Sequence, residues 1–155
     1  MKIKMLVMDV DGTLTDGHIY TGPSGEAMKV FSCKDGLGIK EILPKLGIMP
    51  VIITGRDSII TANRAKELSI EELHQGIADK LPLLKQIAQQ YGMTREEIAY
   101  IGDDLNDLEC MQYCGLTACP QDAEQAIKDI VSFVAPRDGG KGAVRDFIEW
   151  IGQRE

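Results

Sequence analysis

Short apolar, β-favouring runs recur along this chain at 5–10, 48–53, 98–101, 116–118 and 130–134, and most of the text between them changes period. Ile39, Ile42, Leu43 and Leu46 form one stripe at helical spacing; Leu81, Leu84, Ile87, Ala88 and Tyr91 form another. Strands that alternate with helices need crossovers, which join parallel neighbours and lay helices over both faces of the sheet. The pattern predicts an α/β chain, a three-layer Rossmann-like fold with a mostly parallel sheet. A chain of 155 residues buries a core of its own, so 1–155 is expected to be a single domain with no room for a second.

In such a sheet, ligands collect beyond the carboxyl ends of the strands. Three predicted strands run into polar text there: Asp9 and Asp11 of "DVDG", Thr54 to Arg56 of "TGR", and "GDDLND" at 102–107. Two positions apart on an extended strand, Asp9 and Asp11 project to the same side. Carboxylates held that close repel, and a divalent cation relieves the repulsion. Asp103 and Asp104 add oxygen donors, a set that suits magnesium rather than thiolate-loving zinc. Aspartates beside a glycine also cap helices, and for "GDDLND" alone that is the stronger reading; the aspartate pair reverses the balance. A calcium loop of the EF-hand kind is rejected, because Leu14 and Tyr20 stand where its sixth-position glycine and twelfth-position glutamate belong.

Residues 17–31, "GHIYTGPSGEAMKVF", interrupt the alternation with two β-favouring pieces around a Gly, Pro and Ser cluster. They predict a β-hairpin flap directly after the aspartate pair. Four aspartates, Thr54 and the Lys80 of "ADK" together suit phosphoryl transfer. An aspartate attacks a phosphoryl group only where positive charge neutralises both partners, a part for magnesium and Lys80. Thr54 can donate to a phosphoryl oxygen, and the second aspartate can protonate the leaving oxygen.

Seventeen basic against 24 acidic residues, a net charge of −7, exclude the concentrated basic surface that a nucleic-acid partner requires. No apolar run approaches the roughly 20 residues of a membrane span, and the N-terminal text lacks a signal-peptide core, so a cytoplasmic location is expected. Cys33, Cys110, Cys114 and Cys119 lack CxxC spacing and are expected to be free thiols rather than zinc ligands.

"DVDGT", "ITGR", the lysine of "ADK" and "GDDLND" stand in the order and rough spacing of four motifs, and on them the chain resembles the haloacid dehalogenase superfamily of phosphatases. The resemblance implies that Asp9 is the nucleophile, forming an aspartyl-phosphate, and Asp11 the general acid and base. It gives Thr54 and Lys80 the phosphoryl group; it gives magnesium to Asp9, the Asp11 backbone carbonyl and Asp103, with Asp104 and Asp107 supporting the metal or Lys80. "KVFSCKDGLGIK", "GRDS" and "RDGGKGAVRDFIEWI" are similar to the uncapped sugar-acid phosphatases of that superfamily. This narrower likeness implies a phosphorylated sugar acid as substrate, first 3-deoxy-D-manno-octulosonate 8-phosphate of lipopolysaccharide biosynthesis, alternatively a nine-carbon sialic-type acid 9-phosphate. It also implies a homotetramer with the flap and active site at subunit interfaces. Arg56 is expected to recognise the substrate, since its fork matches a carboxylate or phosphate, with Gly55 beside it and Lys29 and Lys34 near the flap as weaker candidates. "GGKG" at 139–142 is either part of an intersubunit site or a helix-entry turn.

A receiver domain that stores a phosphoryl group uses similar residues and is the rival from another class. Asp11 argues against it: a general acid and base two positions after the nucleophile serves hydrolysis, not storage.

Overall fold

A computed structural model describes residues 2–154; the single-domain expectation also covers positions 1 and 155, which lie outside the described residues. Six strands form one parallel sheet in the order β5-β4-β1-β6-β7-β8: Met5–Met8 (β1), Met49–Ile53 (β4), Glu72–His74 (β5), Ile98–Ile101 (β6), Leu116–Cys119 (β7) and Phe133–Val134 (β8). Tyr20–Gly22 (β2) and Gly25–Met28 (β3) pair antiparallel as the separate flap, and a bridge from Thr15 to Phe31 closes its base. From β1 the chain builds outward through β4 and β5 on one side and through β6, β7 and β8 on the other. That reversal beside β1 is the topological switch point at which α/β sheets form their crevice.

Alternation along each strand divides the core between two faces. Leu6, Met8, Ile52, Ala99 and Ile101 pack with Ile39, Leu43 and Ala65 and with Val144, Phe147, Ile148 and Ile151. The last four come from Ala143–Arg154 (α7), and Ala65 from Ile59–Glu67 (α3). Met5, Val7, Val51, Ile53, Ile98 and Tyr100 face Leu84, Ile87 and Ala88 of Lys80–Gln90 (α4). Cys110 and Met111 of Leu108–Tyr113 (α5) and Ile127 of Gln125–Lys128 (α6) complete that layer. Each such large side chain contributes on the order of 1.5–3 kcal/mol by leaving water. Three layers, with all six strands of the main sheet parallel, bear out the predicted class, and no separate cap is present among the described residues.

The stripe from Ile39 to Leu46 lies on a helix with a local defect. Cys33–Leu37 (α1) widens into a π-helical turn over Gly38–Ile42 before α-geometry returns in Leu43–Leu46 (α2). Pro44 has no N–H to give the carbonyl of Lys40, so the ladder is interrupted where the turn widens.

Two strands are shorter than expected and one was not expected. The first strand stops at Met8 instead of Val10, because the N–H groups of Thr13, Leu14 and Thr15 all converge on the Val10 carbonyl and turn the chain. Only Phe133–Val134 of the run at 130–134 is extended, and Ile130 is exposed. Strand β5 was not expected; its three residues, Glu72, Leu73 and His74, carry little apolar signal and owe their conformation to pairing with Val51, Ile52 and Ile53. No helix among the described residues is long and apolar enough to cross a membrane. All four cysteines are free thiols; Cys110 and Cys119 are buried and Cys33 is exposed.

Candidate active site

Asp9 leaves β1 with its N–H still bonded to the Ile101 carbonyl, and its side chain is buried. Lys80 reaches it from the other side of the sheet edge: Nζ donates to Asp9 Oδ1 at 3.0 Å and to Asp107 Oδ1 at 2.9 Å. A cation in the first turn of α4 opposes the helix dipole, so Lys80 holds that place through its two carboxylate partners. Burial presses its pKa down, but Asp9 and Asp107 outweigh burial and leave it raised. Asp9 is pushed up to about 6, by burial first and by the Asp107 charge second, with Lys80 pulling the other way.

The three aspartates of "GDDLND" separate into three tasks. Asp103 faces Asp9; burial, and then the Asp9 charge, push it up to about 9. Asp104 caps the short 3-10 turn Leu105–Asp107, its Oδ1 accepting from Leu105 N at 2.7 Å, so the capping reading holds for this residue. Asp107 is fully buried. Its Oδ1 accepts from Lys80 and from the Tyr100 hydroxyl at 2.6 Å, and its Oδ2 accepts from the N–H groups of Asp103 and Asp104. Oxygens of Asp9, Asp103 and Asp107 lie within 4.8 Å of one another. Asp107 is already saturated with donors, so Asp9 and Asp103 are the side chains free to take a cation. Two carboxylates that their burial and mutual repulsion push toward protonation, with oxygen as the only donor element, fit magnesium.

Close backbone approach makes this arrangement possible. Gly12 has φ +86°, and a Cβ there would lie 2.0 Å from Asp103 Oδ2. Gly139 of "GGKG" packs behind the same loop, where a Cβ would lie 2.0 Å from the Gly12 carbonyl oxygen, and Gly140 N donates to Thr13 O. Within this chain "GGKG" is the entry turn to α7, wedged against the loop that carries Asp11.

Asp11 shares the crevice with Asp9 by virtue of this loop, since strand alternation has ended before it. Its Oδ1 accepts from Lys29 Nζ at 2.6 Å, and Arg56 Nε lies 4.0 Å from Oδ2. Lys29, a secondary candidate in the sequence, is buried to 3% side-chain exposure, whereas Arg56 is half exposed. Glu26 on β3 ties the flap to these cations: it is 3.2 Å from Lys29 Nζ and 3.5 Å from Arg56 Nη2, and it accepts from the hydroxyl of Ser58, the N-cap of α3. Thr54 and Gly55, at the end of β4, line the same opening with Asp9, Asp11, Arg56, Asp103 and Asp104, enclosing about 290 Å³. Lys34 is exposed, its N–H donating to Ser32 Oγ, and is not among the residues lining this crevice.

Sequence reasoning missed Glu26, Tyr100 and Asn106, which also lines the crevice. Asn106 sits inside a motif already singled out, and its position was the available signal. Glu26 and Tyr100 read as an ordinary hairpin residue and an ordinary strand residue.

Residues 57–148 match the family model of haloacid dehalogenase-like hydrolases. The 3-deoxy-D-manno-octulosonate 8-phosphate phosphatase of Haemophilus influenzae is 39% identical over 153 residues, covering 99% of this chain and 84% of that relative. The Escherichia coli K12 enzyme of the same name is 38% identical over 149 residues, 96% of this chain and 79% of its own length. Among solved structures, the cobalt-bound Haemophilus influenzae phosphatase superposes with a TM-score of 0.94 at 39% identity, over 98% of this chain and 88% of the other. The Moraxella catarrhalis phosphatase, in complex with magnesium, phosphate and a KDO molecule, gives 0.94 at 38% identity, over 99% and 87%.

Proposed function

The chain belongs to the haloacid dehalogenase-like hydrolases, and from that premise we propose that it is a magnesium-dependent phosphatase of 3-deoxy-D-manno-octulosonate 8-phosphate. The observation that carries this reading is the buried Lys80 shared between Asp9 and Asp107, with Asp103 facing Asp9 and Asp11 held apart on Lys29. One carboxylate is thereby kept for attack and another for proton transfer.

Asp9 attacks phosphorus, the ester bond breaks, and the sugar oxygen leaves with the proton of Asp11. Water then attacks the aspartyl-phosphate, its proton passes to Asp11, and inorganic phosphate departs from the regenerated Asp9. Lys80 holds Asp9 in place and offers positive charge to the phosphoryl oxygens; Thr54 and the Gly55 N–H are the neutral donors. Asp9, the Asp11 backbone carbonyl and Asp103 would hold magnesium, which would supply the remaining positive charge between the two anions. Asp104 fixes the turn that carries Asp103. Arg56 and Lys29 sit where the sugar-acid end or the phosphoryl group of the substrate enters, and Arg56, half exposed, is free to swing to a carboxylate.

The same reading has the chain work in the cytoplasm as a homotetramer with the flap at subunit contacts. Exposed Ile19, Met28 and Val30 on and beside the flap support it, as apolar groups that an assembly removes from water. Comparison of kcat/KM for octulosonate 8-phosphate, nine-carbon acid 9-phosphates and hexose phosphates tests the substrate; preference for a hexose phosphate refutes the sugar acid. Asp9→Asn is expected to abolish phosphate release while the protein stays folded, and steady-state release equal to wild type refutes the nucleophile.

A further inference from the structure

Tyr100 is fully buried in the middle of the sheet, on the face covered by α4 and α5. A phenol there needs a partner, and its hydroxyl donates to Asp107 Oδ1 at 2.6 Å. That same oxygen accepts from Lys80 at 2.9 Å, and Lys80 in turn donates to Asp9 Oδ1 at 3.0 Å. The chain of contacts therefore runs from β6 through Asp107 and Lys80 to the attacking carboxylate.

We propose that Tyr100 is a positioning residue for phosphoryl transfer, acting through Asp107 to keep Lys80 shared with Asp9. This rests on the phosphatase reading. Two carboxylates compete for one buried ammonium. Asp107 Oδ2 is held by the N–H groups of Asp103 and Asp104, so its Oδ1 is the competing atom. A hydrogen bond from the phenol disperses charge from Oδ1 and weakens its grip on Lys80. Without the hydroxyl, Lys80 is the remaining donor to Oδ1 and moves toward it, away from Asp9 and the entering phosphoryl group. Packing alone does not call for a tyrosine at this position, because phenylalanine fills nearly the same volume.

Tyr100→Phe is expected to lower kcat about tenfold, with KM for the sugar-acid phosphate and the half-saturating magnesium concentration within twofold of wild type. A structural role alone lowers the melting temperature and leaves kcat of the folded enzyme unchanged; that result overturns the proposal. In the Asp107→Ala background the loss of the hydroxyl is expected to cost nothing further, and a full tenfold penalty there also overturns it. Should Asp107→Ala fail to fold, the Tyr100→Phe measurements decide by themselves. Wild-type protein without phosphatase activity refutes the phosphatase reading instead, so the two failures are distinguishable.

Discussion

Magnesium binding should expel a proton, and its count follows from the carboxylate pair. In the metal-free protein Asp103 is pushed up to about 9 and Asp9 up to about 6, each by burial before any other cause. At pH 7.5 two sites with those values hold about one proton between them, and at pH 5 nearly two. A cation takes carboxylates in their deprotonated form, so at pH 7.5 each magnesium bound releases about one proton. Its apparent affinity should rise about tenfold per pH unit between roughly 6 and 9, level off above, and fall more steeply below. Calorimetric titration with magnesium in buffers of different ionisation enthalpy reads the release directly, as the slope of observed against buffer enthalpy. Asp103→Asn should bind magnesium more weakly and bring the slope at pH 7.5 close to zero. A wild-type slope near zero at that pH would show that the two carboxylates do not share a proton, and magnesium affinity unchanged in Asp103→Asn would sink the assignment of Asp103 as the second ligand.

Two further outcomes test other parts of the molecule. Asp35 of α1, buried against α7 with Oδ1 accepting from Arg145 N, is pushed up to about 6 by burial, which outweighs the Arg145 hydrogen bond and the Arg137 charge that pull it down. The folded chain thus holds a proton that the unfolded chain has released between roughly pH 4 and 6, so stability falls as pH rises from about 4 to about 6 and levels off above, by on the order of 3 kcal/mol. Thermal melts in excess chelator should show this loss in wild type and a flatter profile in Asp35→Asn, the Asp9 and Asp103 contributions being common to both; parallel profiles refute it. Glu26→Gln, which weakens the tie between the flap and its cations, should raise KM for the sugar-acid phosphate about threefold to tenfold and leave KM for a small aryl phosphate nearly unchanged. Equal increases for both esters would mean that Glu26 does not act on the sugar-acid end.

Two-residue and 3.6-residue periodicities are local properties, and they were enough to place β1, β4, β6, β7 and the stripes on α2 and α4. Parallel strands present their carboxyl ends on one edge, so a chain that puts Asp9, Thr54 and Asp103 after three of them has already brought these residues together. The flap was equally legible, because "TGPSG" is turn chemistry. Strand β5 was not, since edge pairing rather than its own residues makes it extended.

Division of labour among chemically identical side chains was decided only in three dimensions. Asp104 and Asp107 read alike in the sequence, both as supports for the metal or Lys80, and Asp103 stood apart from them only through the family resemblance. Asp103 faces a second carboxylate 94 residues earlier in the chain, Asp104 caps a turn through the backbone beside it, and Asp107 holds a lysine 27 residues earlier. Glu26 and Tyr100 became functional candidates for the same reason: their significance lies in what they touch across the fold. Sequence by itself determined the strand-end chemistry, through local pattern and the geometry of parallel sheets. Tertiary structure determined which oxygen meets which cation, because those contacts depend on long-range packing and side-chain rotamers that no local pattern encodes.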